Sequence, residues 1–323
     1  MRILITGSNG FVGSRLMYYF EKKGFEVAGI DRNPKCNIEP HRNTIIGDIL
    51  RNEDLEKLAG DFDWLIHCAA AKHDFGVTDE QYYEDNVTAT ESIAAFALRR
   101  NILKLVYYST VSSYGHEAVP CDENGPFKPN TYYGETKYLG EGVLEKWLAK
   151  THNGTLVLLR PSVIYGPHNY ANMYNLINTI YKFPFMVGKG GHIKSLVSLE
   201  NLADMTWFTM ENAKPGISSF NTLDKPYVTL RDINTIILKN KGASKKPITI
   251  PYFLAQAPAK FFDVLGRLFK YDFPLNSDRL SKYSTSTHYY AEKIREAGYV
   301  QKHSIEDELN RMVNWYLEDK KKG

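Results

Sequence analysis

Cysteine is scarce. The 323 residues hold three, Cys36, Cys68 and Cys121, far apart and without a CxxC pair. Neither a disulfide framework nor a zinc site follows from that spacing, no His/Cys cluster offers a metal site, and the expected compartment is the reducing cytoplasm. Charge of one sign is lacking as well. Forty Lys and Arg against 37 Asp and Glu leave +3, too even for nucleic acid as the main partner. Long apolar runs are missing too. The first one stops at Thr6, short of the roughly 7–15 apolar residues of a secretory signal. Nothing approaches the roughly 18 consecutive apolar residues of a transmembrane helix. The nearest candidate, Tyr252–Phe269, is interrupted by Pro258, Lys260, Asp263 and Arg267. It reads as an amphipathic, docked segment, with peripheral membrane contact as the alternative. Internal repeats and low-complexity tracts are absent, and the length predicts about two domains.

What is present is alternation. Compact apolar runs at 2–6, 26–30, 44–46, 64–67, 104–109 and 155–159 predict strands buried on both faces. Helical patterns lie at 11–23, 52–58, 81–100 and 133–150. That order means βαβ units in a parallel, doubly wound α/β sheet of Rossmann type with right-handed crossovers. After Pro167 the pattern loosens, with loops expected at 188–191 and 215–219 and helices near 230–238 and 305–318. The expected division is a dinucleotide-binding domain over 1–166, with 193–222 returning to it, and a smaller α/β substrate lobe from 167–192 and 223–323.

Gly7-Ser8-Asn9-Gly10-Phe11-Val12-Gly13 directly follows the first strand and opens a helix. Gly7 permits a tight turn, Gly10 lets the backbone approach a pyrophosphate, and Gly13 allows close helix–strand packing, while the helix N-terminus offers N–H donors. The next strand ends in Asp31, 18 residues after Gly13, where a carboxylate binds ribose hydroxyls and repels a 2′-phosphate. NAD is therefore favoured over NADP, although the adjacent Arg32 could soften the preference.

Several ordered motifs extend the pattern: Asp48-Ile49 after the third strand, His67-Cys68-Ala69-Ala70, and Asn86 in a helix. They continue with STVSSYG at 109–115, YGETK at 133–137, RPSVIYGP at 160–167 and KSLVSLENLAD at 194–204. Together with the GxxGxxG spacing they resemble the extended short-chain dehydrogenase/reductase family, in its NAD-dependent epimerase/dehydratase branch acting on nucleotide sugars. The resemblance implies cofactor contacts from Gly7, Asn9, Gly10, Phe11, Val12, Gly13, Asp31, Arg32, Asp48, Ile49, Ala69, Ala70, Ala71, Asn86, Ser109, Tyr133, Lys137, Pro161 and Val163. Asp48 and Ile49 would lie against adenine, and the Ala69–Ala70 turn along the phosphates. It also implies a homodimer through 81–100 and 133–150.

Tyr-x-x-x-Lys occurs five times: Tyr18/Lys22, Tyr19/Lys23, Tyr133/Lys137, Tyr289/Lys293 and Tyr316/Lys320. Only Tyr133/Lys137 opens a helix downstream of a strand ending in hydroxyl residues, Ser109-Thr110, and on a helix i and i+4 share a face. A tyrosine acting as base near pH 7 needs its pKa of about 10 lowered by roughly 4 kcal/mol. One positive charge about 5 Å away supplies roughly 3 kcal/mol at an effective dielectric near 20. Lys137 is the expected source of that lowering, and Thr110 the expected hydrogen-bond partner of the reacting hydroxyl.

Two departures from the family pattern matter. Sugar 4,6-dehydratases carry Asp-Glu after the catalytic Thr, where this chain has Val111-Ser112, so dehydration is disfavoured. Many 4-epimerases place Asn after the arginine, where this chain reads Pro161-Ser162-Val163-Ile164. Substrate contacts are then expected from His73, Thr110, Ser112 and Asn169, with Lys194 and Arg279 facing a diphosphate. The reading is an NAD-dependent nucleotide-sugar epimerase acting at C4 through a transient 4-keto sugar. A 4-ketosugar reductase or hydroxysteroid-type dehydrogenase uses the same triad, and a non-catalytic NAD-binding regulator is the alternative from another class.

Overall fold

The computed structural model describes residues 1–38, 43–72, 76–115, 120–182, 184–242, 248–269, 277 and 286–322. The chain forms two compact units: Met1–Ile164 with Leu199–Leu223 and Tyr289–Val300, and Tyr165–Ser198 with Asp224–His288 and Gln301–Gly323. Residues 193–198, expected in the sheet domain, thus belong to the second unit, and the late segment Tyr289–Val300 returns to the first.

The first unit is built on strands β1 (Arg2–Thr6), β2 (Glu26–Asp31), β3 (Thr44–Ile46), β4 (Trp64–His67), β5 (Lys104–Tyr108) and β6 (Thr155–Pro161). The sheet order is Gly216–Thr222, β6, β5, β4, β1, β2, β3, and its neighbours pair in parallel. Every residue of β4 and β6 is buried, because helices cover both faces. The seventh strand corrects the loop expected at 215–219. Gly216–Thr222 (GISSFNT) pairs with β6 at the sheet edge, half-exposed along most of its length, so it carries no apolar run to announce it.

The crossover helices are α1 (Phe11–Lys22), α2 (Asn52–Leu55), α3 (Asp79–Tyr83), α4 (Ala89–Arg99) and α5 (Tyr132–Ala149). A π-helical turn, Glu84–Thr88, joins α3 to α4. Leu4, Leu65 and Leu105 from the strands meet Phe96 and Trp147 from the helices in one buried cluster. The strand order reverses beside β1, with β2 and β3 on one side and β4 to β6 on the other. In such sheets ligands bind beyond the carboxyl ends of the strands at that point.

The second unit packs helices Asn172–Lys182, Leu230–Asn240 and Ile305–Lys322 around Tyr165, Ile177, Ile237, Met312 and Val313. Thr229 and Asp232 close a capping box on the second of these helices, which fixes its start. The Tyr252–Phe269 helix runs unbroken with Pro258 inside it, so the proline does not end the segment.

Candidate active site

The chain leaves β1 through Gly7 at φ +67°, a left-handed conformation that suits glycine. A Cβ on Gly13 would lie 2.0 Å from the Gly7 carbonyl oxygen, so turn and helix touch backbone to backbone. Gly10 caps α1, whose first turn holds no acidic side chain. That leaves the positive helix end open to an anion. Beside it, the Asp31 carboxylate accepts hydrogen bonds from Asn9 N at 2.9 Å and Asn33 N at 2.8 Å, and Asn9 Nδ2 donates to Asn33 O at 2.6 Å. Arg32 does not soften this acceptor. Its guanidinium forks onto Asp85, with Nη1 to Oδ1 at 2.8 Å and a second bond from Nη2, so its charge is already matched.

Asp48 and Ile49 hold the next turn. Asp48 Oδ1 accepts from Leu50 N at 3.0 Å, and the Ile49 side chain joins the buried cluster with Leu55 and Leu58. Ala69 sits against the Gly7 turn, where a Cβ on Gly7 would come within 2.8 Å of Ala69 N. Asn86 lies in the π turn, 1% exposed. Its Nδ2 donates to Ala71 O at 3.2 Å and Thr136 Oγ1 at 3.0 Å, while its Oδ1 is buried without a partner. The wider turn brings Asn86 under α5, a displacement typical of functional positions.

Thr110 follows β5 and caps the short 3-10 turn Val111–Tyr114 by accepting from Ser112 N at 3.1 Å. The same side chain lies close enough to the Tyr133 phenol to favour its anion. Gly134 makes this approach feasible, since a Cβ there would sit 2.5 Å from Ser112 O. One turn along α5, Lys137 is 1% exposed and its ammonium stands 4.1 Å from the centre of the Tyr107 ring. Three of the other Tyr-x-x-x-Lys pairs make a plainer contact. Lys22, Lys23 and Lys320 lie over the rings of Tyr18, Tyr19 and Tyr316 at 5.3, 5.2 and 5.9 Å.

The charges of the pair differ from the sequence expectation. Burial pushes Tyr133 up to about 12, with the neighbouring Thr110 hydroxyl opposing it. Burial pulls Lys137 down to about 7, partly offset by Cys68 and Glu141. Desolvation penalises both charged forms and here outweighs the simple Coulomb argument. His67 behaves similarly. It is enclosed between Thr6 Oγ1 at 2.7 Å and Thr90 Oγ1 at 3.1 Å, and burial holds it at about 3, a neutral imidazole.

The Lys137 shift has a measurable consequence in the protein without cofactor. Between about pH 7 and 10.5 the folded chain has released this proton while the unfolded chain still binds it, so stability rises with pH across that window. From pH 7 to 9 the gain approaches about 2 kcal/mol, or roughly 3 °C in Tm. Differential scanning fluorimetry should record that slope in the wild type and its loss in Lys137→Met.

Behind the cluster, Arg160 on β6 grips Glu141 on α5 through Nε–Oε1 at 2.8 Å and Nη2–Oε2 at 2.6 Å. Its Nη1 donates to Tyr114 Oη at 3.0 Å and Glu123 O at 3.1 Å. Tyr114 in turn donates to Asn221 Oδ1 at 2.8 Å. This buried network ties α5 to the strand ends, and its members other than Tyr114 and Arg160 fall outside the recognised motifs. Ser109 Oγ, Ser162 Oγ and Thr222 Oγ1 are buried without a hydrogen-bond partner, each at the carboxyl end of a strand. Ser162 and Thr222 were absent from the residues expected at the site. The place of Ser162 just after β6 was an available signal, while the strand that ends in Thr222 gave none. Pro161 is buried and Val163 is 36% exposed.

In the second unit, Lys194 bridges to Thr287 and burial pulls it down to about 8. Asn169 Oδ1 accepts from Ala171 N at 2.9 Å, a turn before the Asn172–Lys182 helix. His73 and Arg279 lie outside the described residues.

Residues 3–221 match the NAD dependent epimerase/dehydratase family. The chain belongs to that family. Among its relatives is the N-acetyl-alpha-D-glucosaminyl-diphospho-ditrans,octacis-undecaprenol 4-epimerase of Escherichia coli O157:H7, 28% identical over 99% of this chain and 96% of that protein. The UDP-glucose 4-epimerase of Vibrio cholerae is 28% identical over 83% of this chain and 82% of its own length. Among solved structures, the UDP-glucuronic acid 4-epimerase from Bacillus cereus in complex with NAD superposes with a TM-score of 0.76 at 22% identity, covering 98% of this chain and 99% of that one. The last likeness establishes the fold.

The epimerase/dehydratase frame agrees with what the residues can hold. A dinucleotide needs a pyrophosphate seat, a ribose acceptor and polar partners along the strand ends. The acid-free N-terminus of α1 offers the first and Asp31 the second. The unpartnered Asn86 Oδ1 and Ser109 Oγ are buried acceptors of the kind such a ligand would satisfy.

Proposed function

We propose that the chain is an NAD-dependent 4-epimerase of sugars carried on a diphosphate, with a nucleotide-diphosphate sugar as the leading substrate. The observation that carries this reading is the placement of Tyr133 beside Thr110, on the helix that presents the buried Lys137 one turn later. In this reading Tyr133 takes the proton of the sugar 4-hydroxyl and later returns one. Thr110 orients that hydroxyl, and Ser112 lines the same turn. Lys137 carries the compensating positive charge and would hold the nicotinamide ribose. NAD⁺, when bound, would supply a hydride acceptor and a positively charged ring. Gly7, Asn9, Gly10, Gly13 and Asp31 would seat its adenosine side, and Asn86, Ser109, Pro161 and Val163 its nicotinamide side. Lys194, kept half-buried, is the proposed cation for the sugar diphosphate.

Burial leaves Tyr133 protonated at neutral pH until positive charge gathers around it, so the base is armed only in the assembled site. Phenolate and ammonium then stabilise each other as a coupled pair. A second carrier deserves a place in the assay, because the Escherichia coli relative that spans this whole chain acts on a polyprenol-linked sugar. We also place the chain in the cytoplasm as a homodimer through 81–100 and 133–150, where Tyr83 at the end of α3, Leu98 on α4, and Tyr138 and Leu139 on α5 stand exposed.

The test is incubation with UDP-, GDP- and dTDP-sugars and a polyprenyl-diphosphate sugar, with NAD⁺ in catalytic amount. NMR follows the sugar, and absorbance at 340 nm would follow the cofactor. The expected result is a C4 epimer without net NADH. Net NADH with an oxidised sugar would instead make the chain a dehydrogenase.

A further inference from the structure

The Tyr252–Phe269 helix carries an outward apolar arc that the catalytic reading does not use. Phe253, Leu254, Phe261 and Val264 are 69%, 55%, 60% and 64% exposed, and Ala257 and Pro258 between them are exposed too. At about 100° per residue these six positions fall within an arc roughly 140° wide. The opposite face is the docked one, where Ala255 and Ala259 are buried against Val187. Charge is sorted in the same way. Asp263, the helix's carboxylate, falls on the docked side by the same spacing and accepts from Ser277 N at 3.0 Å. Lys260 stands exposed at the margin of the arc.

An exposed arc of Phe, Leu and Val with a lysine at its edge and no carboxylate has the chemistry of a helix lying in the plane of a lipid–water interface. The geometry points to this helix as a seat on the surface of an anionic phospholipid bilayer. Aromatic and aliphatic side chains enter the boundary between headgroups and acyl chains, and Lys260 meets lipid phosphate. Among the described residues no helix is long and apolar enough to cross a membrane, so the contact is peripheral. A second copy of the chain is the weaker occupant. A stripe one helix wide offers on the order of 500 Å², against roughly 800 Å² per partner in a stable protein interface.

Flotation of the full chain with vesicles tests the seat, and because the assay contains no substrate and reads no turnover, its outcome is separate from that of the catalytic reading. The wild type should float with 7:3 phosphatidylcholine/phosphatidylglycerol vesicles and several-fold less with phosphatidylcholine alone. The double variant Leu254→Gln/Phe261→Gln should lower the bound fraction about tenfold with an unchanged far-UV circular dichroism spectrum. Lys260→Glu, which leaves every apolar contact in place, should lower binding to the anionic vesicles severalfold and serves if the double variant misfolds. A wild type that stays in the soluble fraction overturns the proposal. So does binding indifferent to both variants, or a double variant that only reduces the oligomer size seen by light scattering.

Discussion

Replacing Tyr133 by Phe should lower epimerase turnover at least about 10³-fold, within the range expected for loss of a positioned acid–base group, while NAD affinity changes by less than about threefold. The substitution removes one oxygen. The ring keeps its place 6.2 Å from the Tyr82 ring, and the glycine turn and Asp31 are untouched. What is lost is the phenol oxygen beside Thr110, the atom that exchanges the sugar proton in this reading. Stopped-flow and steady-state kinetics with an epimerisable sugar give turnover, and NAD binding by calorimetry gives the control. Thr110→Val should fall between the two, at about 10–100-fold, since it keeps the phenol but loosens its direction. A Tyr133→Phe enzyme that still turns over would remove the phenol from the mechanism.

Much of this site is legible in the sequence, for reasons that can be named. Strands β1 to β6 are covered on both faces, so burial writes itself as short apolar runs. The edge strand Gly216–Thr222 is half-exposed and carries small polar residues, so the same rule passes over it. The pair Tyr133/Lys137 could be chosen among five because its neighbours in sequence place it at a helix start after a hydroxyl-ended strand. Its electrostatics could not be chosen that way. The Tyr107 ring under Lys137 comes from β5 and Cys68 from the end of β4. Desolvation is a property of all those walls together, which is why Tyr133 stands near 12 rather than below 10. Asn86 was recognised in a motif, but the π turn that aims it depends on packing against α5. Arg32, judged from its neighbour Asp31, turns instead to Asp85, 53 residues away.

Glu141→Gln should destabilise the chain by about 3–5 kcal/mol, or roughly 4–7 °C in Tm. Arg160 and Glu141 are 4% and 1% exposed, and the guanidinium is stacked 4.6 Å from the Phe127 ring centre. Taking away the carboxylate charge therefore strands a cation with no solvent to receive it. The loss should reach catalysis as well, because Glu141 lies one turn beyond Lys137 on α5 and the fork to β6 sets where that helix stands over the sheet. Desolvation also predicts the relation between single and double variants. Glu141→Leu/Arg160→Met removes both charges, fills the space with carbon and should recover most of the stability lost in Glu141→Gln. Thermal melts of the three proteins decide it. A double variant less stable than Glu141→Gln would mean that the remaining arginine contacts, to Tyr114 Oη and Glu123 O, hold the strand ends together without help from the carboxylate.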